Sequence, residues 1–377
     1  MNVALLLLIA ASGLRAGSDM RDVAMGDPQV VSGGAATPPT ITLTAQPYTR
    51  TTTCTGSKTV TGTATDVTSV AWASSPSGDS GACTGTESWS CAVAVSPDAT
   101  GEGVETITIT ATGAGGTDAD TVDIGFYVAG SHSCFLAQSV DGSYNSTLSD
   151  NDAVATWENI GSSALDVTQG TGASQPTFKT SIVGGQPVVR FDGGDLVAAA
   201  AAADWDFLKN LSDSTMAVVS FKTTSAGSFQ TSAATMALSS STIGKALAYN
   251  DSTVANGIRI YQDTGASGVS LCTSVASAAP AGVFSSFLAL SDSDGSTGDD
   301  LFGYINGSLA CSTTEQAANV AVSTCPLTLG AACGPTFSLT GDIFRVSIYQ
   351  SALTSTQRDI NQAVDEWALG GTFPVTP

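Results

Sequence analysis

The chain has 377 residues, with 12 Lys and Arg against 33 Asp and Glu, for a formal net charge of −21. That balance excludes a nucleic-acid binder, because no basic footprint exists to displace counterions from phosphates, and it opposes docking on anionic lipid. Apolar residues make up 42% and charged ones 12%, so packed cores are expected, and the length suits two or three domains.

The inventory narrows the chemistry. His132 is the single histidine, so one chain cannot build a multi-histidine metal site. No phosphate loop and no dinucleotide fingerprint follows a strand pattern. A non-enzymatic binding or structural protein is the expectation.

At the amino terminus Val3 to Ala11 (VALLLLIAA) form an apolar run, shorter than the roughly twenty residues a membrane span needs. No Lys or Arg precedes it, and Arg15 is the first basic residue. Residues 1–37 therefore read either as a weak signal sequence plus linker or as an apolar arm that buries itself in an assembly.

Period-two alternation begins after Pro38-Pro39. It runs through Ile41 and Leu43, then Val60, Gly62 and Ala64, then Val70 and Trp72. Trp89, Cys91, Val93 and Val95 follow, then Val104, Ile107 and Ile109, and finally Val122, Ile124, Phe126 and Val128. Small-residue turns such as Gly113–Thr117 separate these runs, so six or seven short strands and a β-sandwich are expected over 38–129. The stretch Gly103–Gly113, its turn and Thr121–Gly125 resemble bacterial Ig-like modules, which implies a spacer or docking unit.

From 130 to 377 the anchors are Trp157-Glu-Asn-Ile-Gly161, Gln175-Pro176, Gln186–Gly193, Met216–Phe221, Tyr304-Ile-Asn-Gly307 and Gly341–Tyr349. In this order they resemble laminin-G or concanavalin-A-like jelly rolls. The implied fold class is all-β: an Ig-like sandwich followed by a concanavalin-A-like jelly roll with short peripheral helices. Helices are expected over Ala198–Leu211, with Trp205 and Leu208 inward, and after Thr354. There Thr354 and Gln357 form a capping-box pattern, Ile360, Val364 and Trp367 share a face, and Gly370 is the stop.

Eight cysteines, four in each half, suit disulfides of an oxidising environment. Cys325–Cys333 across a short hairpin and Cys272–Cys311 between neighbouring strands are expected, while pairing among Cys54, Cys83, Cys91 and Cys134 stays open. Glycoside hydrolysis, which some jelly rolls perform, needs paired carboxylates flanking the bond, and no such motif occurs. The acidic loop Ser291–Asp300 offers Asp292, Asp294, Asp299 and Asp300 as oxygen ligands for calcium, against a plain solvated turn. Asp192 and Asp195 read as turn residues capping backbone amides. Tyr144, Tyr249 and Tyr261 are candidates for stacking on sugars.

Both module types occur on phage decoration proteins and tail fibres, so the resemblance implies a virion surface protein that binds host-cell glycans. The N-terminal arm would then contact other virion proteins. A secreted or surface-anchored bacterial adhesion protein is the alternative. Neither reading has a membrane span.

Overall fold

Alternation of buried and exposed residues fixes the first sandwich. The computed structural model describes residues 36–45, 50–96, 103–142, 146–195, 197–199, 201–208, 212–223, 229–236, 244–263, 269–274, 279–292, 301–314, 325–333 and 337–377. Its first eight strands are β1 (Thr40–Leu43), β2 (Thr51–Thr53), β3 (Ser57–Thr65), β4 (Ser69–Ser75), β5 (Ser80–Ala82), β6 (Ser88–Ala94), β7 (Val104–Gly113) and β8 (Gly116–Phe126). They form two sheets, ordered β1-β3-β6 and β2-β8-β7-β4-β5. Between them lie Val60, Trp72, Trp89, Val93, Ile107, Ile109 and Ile124, the inward halves of the alternating runs. The short strands β2 and β5 lie outside those runs, because Thr-Thr-Thr and Ser-Gly-Ala carry no apolar period. A Cys83–Cys91 disulfide closes one side. On the other, Ile41 and Leu43 donate backbone N–H to the inward-turned carboxylates of Asp118 and Asp120, at 3.0 and 3.5 Å. Inward-pointing charge is one way to blunt a sheet edge.

The second sandwich begins with β9 (Ser133–Leu136), β10 (Thr156–Trp157), β11 (Val167–Thr168), β12 (Thr177–Val183), β13 (Gln186–Asp192), β14 (Val197–Ala199), β15 (Ser214–Lys222) and β16 (Phe229–Ala234). It continues with β17 (Gly244–Asn250), β18 (Gly257–Asp263), β19 (Val269–Thr273), β20 (Phe284–Ser291), β21 (Leu301–Ile305), β22 (Ser308–Thr313), β23 (Thr328–Leu329) and β24 (Thr340–Tyr349). One sheet runs β10-β11-β14-β23-β16-β17-β18-β19; the other runs β12-β13-β24-β15-β20-β21-β22, with β9 also paired to β24. Phe135, Trp157, Phe178, Phe191, Met216, Ile260, Phe287 and Ile343 share the core between them. The buried indole of Trp157 donates to the Leu136 carbonyl at 3.1 Å. Asn306 and Gly307 turn β21 into β22 with φ of 50° and 76°, the left-handed pair that a two-residue hairpin needs. The Cys272–Cys311 disulfide ties the end strands β19 and β22 together, and Cys325–Cys333 closes a loop of sequence separation 8.

The helix expected over Ala198–Leu211 is corrected. Among the described residues, Val197–Ala199 is a strand and Ala203–Leu208 turns as a 3-10 helix with Trp205 and Leu208 buried. Alanine's helix propensity is a weak prior, and here sheet pairing of Ala198 with Thr168 and Thr328 overrides it. The closing helix α1 (Ser355–Leu369) has the capping box between Thr354 and Gln357 and a left-handed Gly370 at its end. Asp192 and Asp195 cap their own loop: they accept from the Gly194 and Asp192 amides at 3.0 and 3.1 Å.

Thr37–Pro377 is one compact unit, and α1 joins the two sandwiches within it. A Cβ at Gly103 or Gly125 would stand 2.4 or 2.8 Å from Val364, so glycine lets the helix seat on β7 and β8. Cys54 and Cys134 form a disulfide across the seam, the pairing that spacing left open. The Gln138 side chain accepts from the Thr52 amide and hydroxyl, both at 3.0 Å, and donates to the Arg50 carbonyl at 2.6 Å. Beneath the helix the Arg345 guanidinium grips Asp365 with two bonds of 2.8 and 2.5 Å, and Tyr127 donates to the same carboxylate at 2.8 Å. Arg345 and Asp365 are buried, so each needs the other.

Candidate functional site

Strand parity builds the candidate site. On β18, Ile258 and Ile260 face the core, so Arg259 and Tyr261 face outward. Across the ladder they lie opposite Ala248 and Ala246 of β17, whose small side chains leave room beside them. Phe229 opens β16 opposite Asn250. Phe337 arrives from a distant part of the chain: its carbonyl accepts from the Thr231 amide at 2.7 Å, and Ser338 bridges Thr231 in parallel.

The result is an aromatic patch around one guanidinium. Phe229 meets Tyr261 edge-on at 6.3 Å and Phe337 edge-on at 5.9 Å. The Arg259 Cζ lies 5.2 Å from the Phe229 ring centre and 6.0 Å from that of Tyr261, and its Nη1 donates to the Tyr261 hydroxyl at 3.0 Å. Phe337 is 40% exposed at φ 56°, and Leu271, opposite Tyr261 on β19, is also 40% exposed. A bulky residue at positive φ is strained by roughly 1–2 kcal/mol, and such strain clusters at functional sites. The exposed Phe337 ring and the half-buried Phe229 and Tyr261 rings give apolar faces for stacking, and the guanidinium packs against the latter two.

Of the tyrosines expected to stack on sugars, the patch holds Tyr261. Tyr249 is corrected to a core residue. It is 2% exposed, meets Phe287 edge-on at 5.0 Å and shares a 2.9 Å hydrogen bond with Ser220. It keeps the same strand face as Leu247, and the polar stretch that follows it in sequence gave the impression of a loop. Tyr144 lies outside the described residues. So do Asp294, Asp299 and Asp300 of the expected calcium loop, while Asp292 directly follows β20. Among the described residues no group of three or more His, Cys, Asp or Glu converges on a metal position. Sequence reading missed Phe229, Arg259 and Phe337. The Ile-Arg-Ile-Tyr alternation marks Arg259 and Tyr261 as one face, but nothing local links Phe229 to Phe337.

The Lys245 ammonium is buried between Ser214, at 3.1 Å, and Ser291. The cavity beneath α1, lined by Tyr304, Arg358 and Asn361, measures about 20 Å³, room for a single water. His132 packs against Trp205 and Phe207 at 5.3 and 5.0 Å. Burial holds its pKa below the ordinary value, against the pull of Asp204. Asp195 is pushed up to about 6 by burial in its loop, although the Asp192 amide bonds it. No helix of the described residues is long and apolar enough to cross a membrane. Four disulfides and no free cysteine fit an extracellular or secreted protein.

The family described as "Concanavalin A-like lectin/glucanases superfamily", of laminin-G type, matches residues 199–357. No curated protein matches the chain. Among solved structures, a Ruminococcus gnavus IT-sialidase CBM40 bound to α2,3-sialyllactose is similar at 16% identity and TM-score 0.37, over 46% of this chain and 94% of that one. A Trypanosoma rangeli sialidase in complex with the inhibitor DANA is similar at 10% identity and TM-score 0.41, over 64% of this chain and 33% of the sialidase. A leech intramolecular trans-sialidase is similar at 16% identity and TM-score 0.36, over 47% and 27%. The chain thus spans about a third of the sialidases' length or less. With two facing β-sheets around one core and a laminin-G-type match that runs from β14 into α1, the second sandwich is a concanavalin A-like jelly roll.

Proposed function

We propose that this chain is a non-catalytic surface protein whose jelly roll binds glycans at the patch formed by Phe229, Arg259, Tyr261 and Phe337. One observation carries the reading: Phe337 is held at φ 56° with its ring 40% exposed, edge-on to Phe229. Packing on Phe229 offsets part of the strain, and the exposed part of the ring is what a ligand could cover. The first sandwich, with strand order β1-β3-β6 facing β2-β8-β7-β4-β5, is read as an Ig-like module that presents the jelly roll.

Two settings remain, a virion surface and a bacterial cell surface or secretion. The module pairing supports virion decoration, most simply of a bacteriophage. The disulfides support the secreted setting, because buried pairs such as Cys54–Cys134 form in oxidising compartments. The intact, disulfide-bonded chain, applied to an array of cell-surface glycans, is expected to retain a subset of them. Retention of none would contradict the proposal. The mass of the natural N-terminus decides between settings: a start at Met1 or Asn2 favours assembly, and a start near Ser12–Gly17 favours secretion.

A further inference from the structure

We infer that the Phe229–Arg259–Tyr261–Phe337 patch selects uncharged sugars and discriminates against carboxylated ones; this rests on the glycan-binding reading above. An arginine in a binding patch ordinarily suggests a carboxylate partner, since its planar fork matches one. Here one arm of the fork is engaged by the protein itself. Its Nη1 donates to the Tyr261 hydroxyl at 3.0 Å, and its carbon lies against both rings, 5.2 and 6.0 Å from the centres of Phe229 and Tyr261. Turning it toward a carboxylate would break that bond and uncover both rings.

Among the described residues the patch exposes hydrocarbon at two positions. Phe337 and Leu271 are each 40% exposed and offer nothing to a charge. They match the C–H face of a pyranose ring, which is apolar while its hydroxyls point outward to water. The whole chain adds a field of the wrong sign for an acid, with a net charge of −21. Such a field lowers the local concentration of anions, most strongly at low ionic strength.

The test uses matched pairs of oligosaccharides, for example lactose and its sialylated counterpart, which differ by one carboxylated sugar. Both are titrated into the intact protein at about 0.02 M and about 0.5 M salt, which brackets strong and weak screening. The neutral member should bind about tenfold tighter at low salt, a difference worth about 1.4 kcal/mol. Its affinity should not move with salt, whereas that of the acidic member should rise as the repulsion is screened. The Phe337→Gly protein should lose neutral binding, and Arg259→Gln should not reverse the preference. Equal or tighter binding of the acidic sugar would overturn the inference while leaving glycan binding in place, above all if salt weakened it and Arg259→Gln abolished it. Binding of neither sugar type across the panel would overturn the glycan reading itself, and this inference with it.

Discussion

His132 and Asp195 pull the pH dependence of stability in opposite directions. His132, with its folded pKa below 6.5 through burial, stays neutral in the fold while the unfolded chain takes up a proton. Its contribution is full above about pH 6.5 and is lost as pH falls below that value. Asp195, raised from 3.8 to about 6, holds its proton longer in the fold, so its contribution falls as pH rises between those values. Urea unfolding at several pH values should therefore show His132→Gln flattening the slope just below 6.5, and Asp195→Asn flattening the slope from about 4 to about 6. Identical profiles for wild type and variants would refute both assignments. The Arg345–Asp365 pair makes a larger demand. Replacing Arg345 by Met leaves a buried, unpaired carboxylate and should cost about 3–5 kcal/mol, and changing Asp365 to Leu as well should recover most of it. Denaturant midpoints of the single and double variants check this. The capping roles of Asp192 and Asp195 were legible because Asx turns are local. The burial of Tyr249 was not, since it depends on Phe287, 38 positions away across the opposite sheet.

Elements were legible where the signal repeats within a few residues. The capping box and the left-handed stop of α1 lie where Thr354, Gln357 and Gly370 put them, because each acts within one turn. Thr354→Ala should cost about 1 kcal/mol, measured as a shift in thermal unfolding, and an unchanged transition would mean that the cap is idle. The alternating runs became β3, β4, β6, β7 and β8 for the same reason. Strands without apolar period, β2 and β5, stayed silent, and the alanine run pointed to a helix where pairing makes β14. The patch is illegible in principle. Phe229 and Phe337 stand more than a hundred residues apart and meet only because Ser338 bridges Thr231.

Across the whole molecule, the seam between the sandwiches is held by a disulfide and buried hydrogen bonds. The Cys54–Cys134 crosslink spans 80 residues, and its loop closure is worth about 4 kcal/mol in the chain-entropy account. Alkylation of the denatured, unreduced protein should label no cysteine. Changing Cys54 and Cys134 both to Ala should lower the unfolding free energy by several kcal/mol, on the order of that loop term. If stability does not change, the crosslink adds nothing to a seam already held by Gln138 and Arg345. If Phe337 is kept in a strained pose in order to bind, Phe337→Gly should separate binding from stability. Glycine removes both the ring and the strain. Thermal unfolding of this variant should stay within about 2 kcal/mol of wild type, because relief of strain offsets part of the lost packing on Phe229, while titration with a retained glycan should show binding reduced at least about tenfold. A variant that binds the glycan as well as wild type would contradict the account.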